Sequence, residues 1–176
     1  MRDQAHRTLT LTAPEPPGVD PGEFRRVLGR FATGVVAVTA IDPAGRPIGM
    51  AVNSFTSVSL DPPLVALCVA HTSTSWPSIR ASGRCCLNIL GGGQRPVSAQ
   101  FATRGAEKFA GLSWFPAPSG APLLADALAW LDCAIDDEHT AGDHDIVVAR
   151  VEAAGLGADH DPLVFFGSRY GTFDAH

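Results

Sequence analysis

The sequence predicts a mainly β protein, a closed antiparallel barrel with three short helices at its periphery. Three observations lead there. Short extended runs rich in β-branched residues, bounded by Gly, Pro, Asp or Asn, dominate residues 35–167. Only three segments carry helical spacing, and the extended runs do not alternate regularly with them, which disfavours a doubly wound parallel sheet. Many strands with few charged edge residues favour closure, because an open edge pairs with other chains.

The elements follow in order. Residues 1–20 are polar and proline-containing without periodicity, and read as a flexible arm ahead of one domain over 21–176. Asp20 is a capping residue, Pro21 suits the first helical position and Glu23 completes a capping box. Phe24, Val27, Leu28 and Phe31 then form one apolar stripe, predicting a helix of about three turns that Gly34 ends. Residues 35–41 are a strand and Asp42-Pro43-Ala44-Gly45 a turn. Residues 48–60 read as one strand pairing back. Its apolar parity changes between Phe55 and Val58, which predicts a bulge near Thr56-Ser57.

Asp61-Pro62-Pro63 turns the chain into a strand over 64–70, and a short helix starts near Ser75 and stops at Gly83. A buried strand over 85–90, a flexible join at Gly91-Gly92-Gly93 and a helix over 94–103 come next. Residues 112–122 read as a loop, and strands are expected over 128–136, 145–154 and 163–167.

Apolar residues make up 45% of the chain and charged ones 18%, which excludes disorder for most of its length. The longest nearly unbroken apolar run, residues 64–70, is far short of the roughly 20 residues of a bilayer helix. No apolar stretch follows Arg2 as a secretory signal requires, so a cytoplasmic location is expected. Net charge is −5 and the basic residues are scattered, which argues against a nucleic-acid partner or a membrane surface. Cys68, Cys85, Cys86 and Cys133 form no C-x-x-C pair and sit in apolar runs. Buried free thiols, and no metal, are expected.

Three polar clusters carry candidate chemistry. Asn53-Ser54-Phe55-Thr56-Ser57, at the expected bulge, suits either a solvated strand face or a ligand rim built from backbone N–H and hydroxyl groups. Thr72-Ser73-Thr74-Ser75 precedes a helix, where such residues either cap it or receive a phosphate. His144 stands between Asp143 and Asp145 at a strand entrance, a setting for an oriented imidazole or an ordinary loop histidine. Arg169-Tyr170 is either a surface pair or a cover for a flat ligand.

The order of these segments resembles the flavin reductase-like family. FATGVVAVTA (31–40), GMAVNSFTSVSLDPPLVALCV (49–69), CCLNIL (85–90), EKFAG (107–111), AGDHDIVVARV (141–151) and PLVFFGSRYG (162–171) carry the resemblance over about residues 22–173. It implies a six-stranded Greek-key split barrel and a homodimer with flavin sites near the subunit interface. It further implies that Asn53, Ser54 and Ser57 lie along the isoalloxazine edge, with Thr33 and Val35 lining the same cleft. Thr72, Ser73 and Ser75 would hold the flavin phosphate, and Asn88, Lys108 and Phe109 would bind cofactor. His144 would face the nicotinamide and Tyr170 would help to cover it. The implied activity is NAD(P)H:flavin oxidoreduction, with FAD or FMN reduced by NADH (NADPH being the other donor) and passed to a separate oxygenase. The alternatives are a protein that retains its flavin and acts on a small organic molecule, or a non-catalytic flavin carrier. The long hydroxyl run favours FAD, and the lack of an arginine assignable to a 2′-phosphate favours NADH.

Overall fold

The computed structural model describes residues 18–105 and 107–173, so most of the expected N-terminal arm lies outside the described residues. Helix α1 spans Pro21–Leu28, and Asp20 accepts a hydrogen bond from the Glu23 N–H at 2.8 Å, forming the expected cap. It stops at Gly29, shorter than expected, with Phe31 beyond its end. Its stripe of Phe24, Val27 and Leu28 faces solvent. Strands β1 (Thr33–Gly34), β2 (Val36–Ile41), β3 (Pro47–Val52), β4 (Thr56–Leu60) and β5 (Pro63–Ala70) follow. Helix α2 (Trp76–Ser82) ends on a left-handed Gly83, a conformation glycine adopts without Cβ strain. Then come β6 (Arg84–Ile89), α3 (Arg95–Ala102), β7 (Trp114–Pro116) and β8 (Pro122–Leu124). The chain closes with β9 (Ala129–Ala141), β10 (His144–Leu156), β11 (Leu163–Phe166) and β12 (Arg169–Thr172).

The molecule is mainly β with antiparallel pairing and three α-helices among the described residues. Its main sheet has seven strands, ordered β3-β2-β6-β9-β10-β5-β4, where six were expected. The extended run over 48–60 is two strands, because residues 53–55 leave the ladder between β3 and β4. The expected strand over 163–167 leaves the main sheet and joins β1 and β12 in a separate one. Two further expectations change. Residues 112–122 contain β7, which pairs with β8. Gly91 is no flexible join, since it bridges Pro162 and donates its N–H to the Gln94 side chain at 2.9 Å.

Connectivity dictates the curvature. Strands β3 and β4 are the two edges of the sheet, yet only residues 53–55 join them. Laid flat, seven strands at ~4.8 Å spacing would hold those edges about 29 Å apart. A three-residue link reaches only about 14 Å. The sheet therefore curls until its edges approach. Inside lie Val38, Val52, Leu67, Leu87 and Val147, with Trp76 and Ile79 of α2 packed among them. Strands β2 and β6 are also covered outside, where Ala37 packs with Leu90, Phe101 of α3 and Leu124. Burial on both faces is why their sequences read as continuous apolar runs. Gly49 makes the α3 contact possible: a Cβ there would collide with the Phe101 ring and lie 2.7 Å from the Val38 carbonyl oxygen.

The bulge falls between Ser57 and Ser59, one residue later than expected, with Val58 as the extra residue. Phe55 packs on the core, whereas Val58 and Leu60 are exposed. Of the thiols, Cys85, Cys86 and Cys133 are buried and Cys68 is exposed, contrary to expectation, because it faces outward from β5. Burial pushes Cys86 and Cys133 up to about 12 and Cys85 well above its usual value, so all three are inert thiols. No described helix is long and apolar enough to cross a membrane.

Candidate functional site

Strand β3 passes between two depressions. At its far end a shallow groove of about 160 Å³ is walled by Val35, Ala51, Val52 and Phe165, with Asn53, Ser98 and Tyr170 supplying polar groups. At its start a cleft of about 470 Å³ lies between Ile48, Thr74, Ser75, Ser78, Lys108 and Phe109. Local rules place these residues. The groove forms where β3 leaves the ladder at Asn53 and where the β11–β12 hairpin turns Phe165 and Tyr170 inward as a cross-strand pair.

Tyr170 is tightly fixed. Its ring meets Phe165 edge to face at 5.3 Å, its hydroxyl lies 3.0 Å from Ser98 Oγ, and Arg95 stands 5.8 Å over the ring. Thr33 sits directly opposite Phe165 in the β1–β11 ladder, and its hydroxyl is buried without a hydrogen-bond partner. A lone buried hydroxyl costs free energy that a hydrogen-bond partner removes.

The hydroxyl residues divide. Ser54 Oγ accepts from the Cys68 N–H at 2.9 Å and lies 3.0 Å from the Cys68 carbonyl, so it clamps residues 53–55 against β5. Ser57 is exposed on β4 opposite Val65. Ser73, rather than Ser75, caps α2 by accepting from the Trp76 N–H at 3.2 Å, and its hydroxyl lies 3.7 Å from Met50 Sδ on β3. Ser75 forms no cap bond and lines the cleft. Thr72 is exposed, and its carbonyl accepts from Arg104 at 3.2 Å.

Asn88 and Lys108, both expected to bind cofactor, make structural hydrogen bonds. Asn88 is wholly buried; its amide donates to the Ala37 carbonyl and Thr39 Oγ1, and its oxygen accepts from the Leu124 N–H at 2.8 Å. That capacity is spent inside the fold. Lys108 donates to the carbonyls of Gln100, Phe101 and Thr103, closing the end of α3, and desolvation lowers its pKa. Phe109 meets the rings of Phe101 and Trp114 edge to face and presents its remaining surface to the cleft.

His144 opens β10 opposite Ala70 and lines neither depression. Its Nδ1 lies 2.7 Å from Asp143 Oδ1, and that bond holds the Asp143 carboxyl below its ordinary value. His71 Nε2 lies 3.0 Å from Asp145 Oδ1, which also accepts from Thr140. These bonds likewise hold Asp145 down. Cys68, which Ser54 clamps, is two residues before Ala70, so His144 and residues 53–55 flank the same end of β5. The groove thus gathers Val35, Asn53 and Tyr170, with Thr33 beside it, and the cleft gathers Ser75, Lys108 and Phe109. Sequence reasoning missed Ser98, Arg95 and Phe165. Ser98 is one turn from Phe101 on the buried side of α3, and that i, i+3 spacing was the one local signal.

Comparison with known proteins decides the family. Residues 28–174 match the model of the flavin reductase like domain. The chain belongs to that family. A flavin reductase of Pseudomonas putida is 45% identical over 157 residues, covering 89% of this chain and 92% of that protein. The reductase subunit HsaB of a flavin-dependent monooxygenase from Rhodococcus jostii is 42% identical, covering 86% of this chain and 77% of its own. Among solved structures, the Streptomyces globisporus NADH:FAD oxidoreductase SgcE6, in complex with NAD and FAD fragments, superposes with a TM-score of 0.82 at 37% identity. It covers 90% of this chain and 98% of its own. The family relationship spans both depressions, from β1 to β12.

Proposed function

We propose that the chain is an NADH-dependent flavin reductase that releases reduced flavin to a separate oxygenase. The observation that carries this reading is the groove beside β3, with flat apolar walls, Asn53 at its rim and the unpartnered Thr33 hydroxyl next to it. Such a lining suits one planar ring with a polar edge. Its volume of about 160 Å³ cannot bury a whole dinucleotide. When bound together, nicotinamide and flavin supply the hydride chemistry themselves.

The protein's share is orientation. Val35, Ala51, Val52 and Phe165 give the ring its walls, and Asn53 and Thr33 hydrogen-bond its edge. Ser54 contributes through the clamp on Cys68, which keeps residues 53–55 in place for that ring. Ser57, Thr72, Ser73 and Ser75 extend the polar path from the bulge to the cleft, where the phosphate end is held. Tyr170, braced by Ser98 and Phe165, covers the ring. Asp143 is acceptor-only when ionised, so His144 Nδ1 donates to it and Nε2 is the ring nitrogen left to meet a nicotinamide carboxamide.

In this reading residues 21–176 act as one domain, the curled sheet is a Greek-key split barrel, and two copies pair as a homodimer. The solvent-facing stripe of Phe24, Val27 and Leu28 supports the pairing. A cytoplasmic location fits Cys85 and Cys133, which face each other across the β6–β9 ladder as free thiols. The test is to mix the purified chain with NADH and either FMN or FAD and follow NADH absorbance. Oxidation that requires added flavin is expected. A protein that binds flavin without turnover is a carrier, and one that holds flavin and ignores added flavin is a different catalyst; either result overturns the reading.

A further inference from the structure

A second concavity, of about 430 Å³, lies between the tip of the β11–β12 hairpin and the end of α1. Strand alternation sets it apart from the groove. Phe165 and Tyr170 form the cross-strand pair that lines the groove, so the next pair, Phe166 and Arg169, projects from the other face of the hairpin. The Gly167 N–H donates to the Gly29 carbonyl at 2.8 Å and seats the tip against the helix end.

Four arginines line this concavity: Arg25, Arg26, Arg30 and Arg169. No carboxylate lines it, and none of the four has an ion-pair partner among the described residues. Arg25 and Arg26 complement the α1 dipole, which accounts for those two but not for four converging from two elements. In a chain of net charge −5, such a cluster repels itself until an anion enters. The remaining wall includes the Phe166 ring, 45% exposed.

We propose that this concavity binds the adenosine diphosphate half of a dinucleotide. Guanidinium forks match phosphate oxygens in pairs, and the Phe166 ring and guanidinium planes offer stacking faces to adenine. The volume falls within the range of small-molecule sites and exceeds what a single phosphate needs. The proposal rests on the flavin reductase reading, which supplies NADH as the ligand with this half; FAD is not the occupant, because its diphosphate includes the flavin phosphate placed at the cleft. The hairpin would cover the ring with one face and hold the NADH tail with the other.

The test titrates the purified full chain with ADP by calorimetry at two salt concentrations, beside an Arg30→Gln/Arg169→Gln double variant. ADP should bind the parent protein, more weakly at the higher salt, and at least tenfold more weakly to the variant. FMN lacks the adenosine half, so its unchanged binding shows that the variant is folded. Should FMN binding be lost as well, Arg169→Lys decides, because it keeps the charge without the fork and should fall between the two. A rise of about tenfold in KM for NADH assigns the site to the nicotinamide dinucleotide. A fall in FAD affinity relative to FMN, with KM for NADH unchanged, overturns that assignment and the placing of the flavin phosphate at the cleft. ADP that does not bind, or that binds parent and variants equally, overturns it even where flavin reduction is normal. Failure of the parent chain to oxidise NADH with any flavin overturns the functional reading instead, and the ADP titration still scores the concavity.

Discussion

Asn88 and Asn53 are the same residue type in opposite circumstances. Asn88 lies between β2, β6 and β8 with its amide and carbonyl satisfied by Ala37, Thr39 and Leu124. Asn53 stands exposed where β3 leaves the ladder and lines the groove. Two threonines repeat the contrast. The Thr39 hydroxyl lies 3.1 Å from the Cys86 carbonyl oxygen and accepts from Asn88, whereas the Thr33 hydroxyl is buried with no partner. Polar groups whose capacity is used internally build this fold. Those with capacity left over beside the groove are the candidates to meet a ligand.

The largest effect should come from Asn88→Ala, which strands the Leu124 N–H and empties a buried site. It should cost about 3 kcal/mol of stability, read from the urea midpoint. Asn53→Ala should change stability by less than ~0.5 kcal/mol while weakening flavin binding about tenfold. Equal effects on stability would break the comparison. Next in size is Gly49→Ala, where the new methyl meets the Phe101 ring; about 2 kcal/mol should be lost, read as a fall in Tm.

The threonines sharpen the contrast in sign. Thr39→Val should destabilise by about 1 kcal/mol, whereas Thr33→Val, which removes an unpartnered hydroxyl, should stabilise the flavin-free protein by about 1 kcal/mol and weaken flavin binding. Stability and affinity moving together at Thr33 would contradict the site. The smallest effect concerns Asp145, whose carboxyl is held down by bonds from His71 and Thr140. A depressed folded pKa gives stabilisation that is complete above the unfolded value, about 3.9, and is lost as pH falls through the folded one. The Tm difference between the parent and Asp145→Asn should therefore persist at neutral pH and vanish on the acid side of pH ~4.

What was legible in the sequence was local. The Asp20 cap, the Gly83 stop, the bulge beside Ser57 and the buried strand over 85–90 depend on neighbours within a few residues, and all appear. The apolar stripe of α1 was legible as a stripe but not as an exposed one, because spacing reveals a face and not what covers it. Asn88 and Lys108 look alike as polar residues near motifs. Their roles depend on carbonyls and amides supplied by other turns of the chain, 51 positions away for the Asn88–Ala37 bond. Ser98 and Arg95 were missed for the same reason, since they matter only through Tyr170 on the final hairpin.

The short link over residues 53–55 has a mechanical corollary. It is the stitch that holds the two margins of a rolled sheet together, and the groove lies beside it at Asn53. An occupant resting on that stitch acts as a rivet, so unrolling the sheet and vacating the groove become one event. Thermal unfolding should accordingly shift upward with flavin concentration, and the segment from β3 to β4 should be the part whose amide exchange slows most.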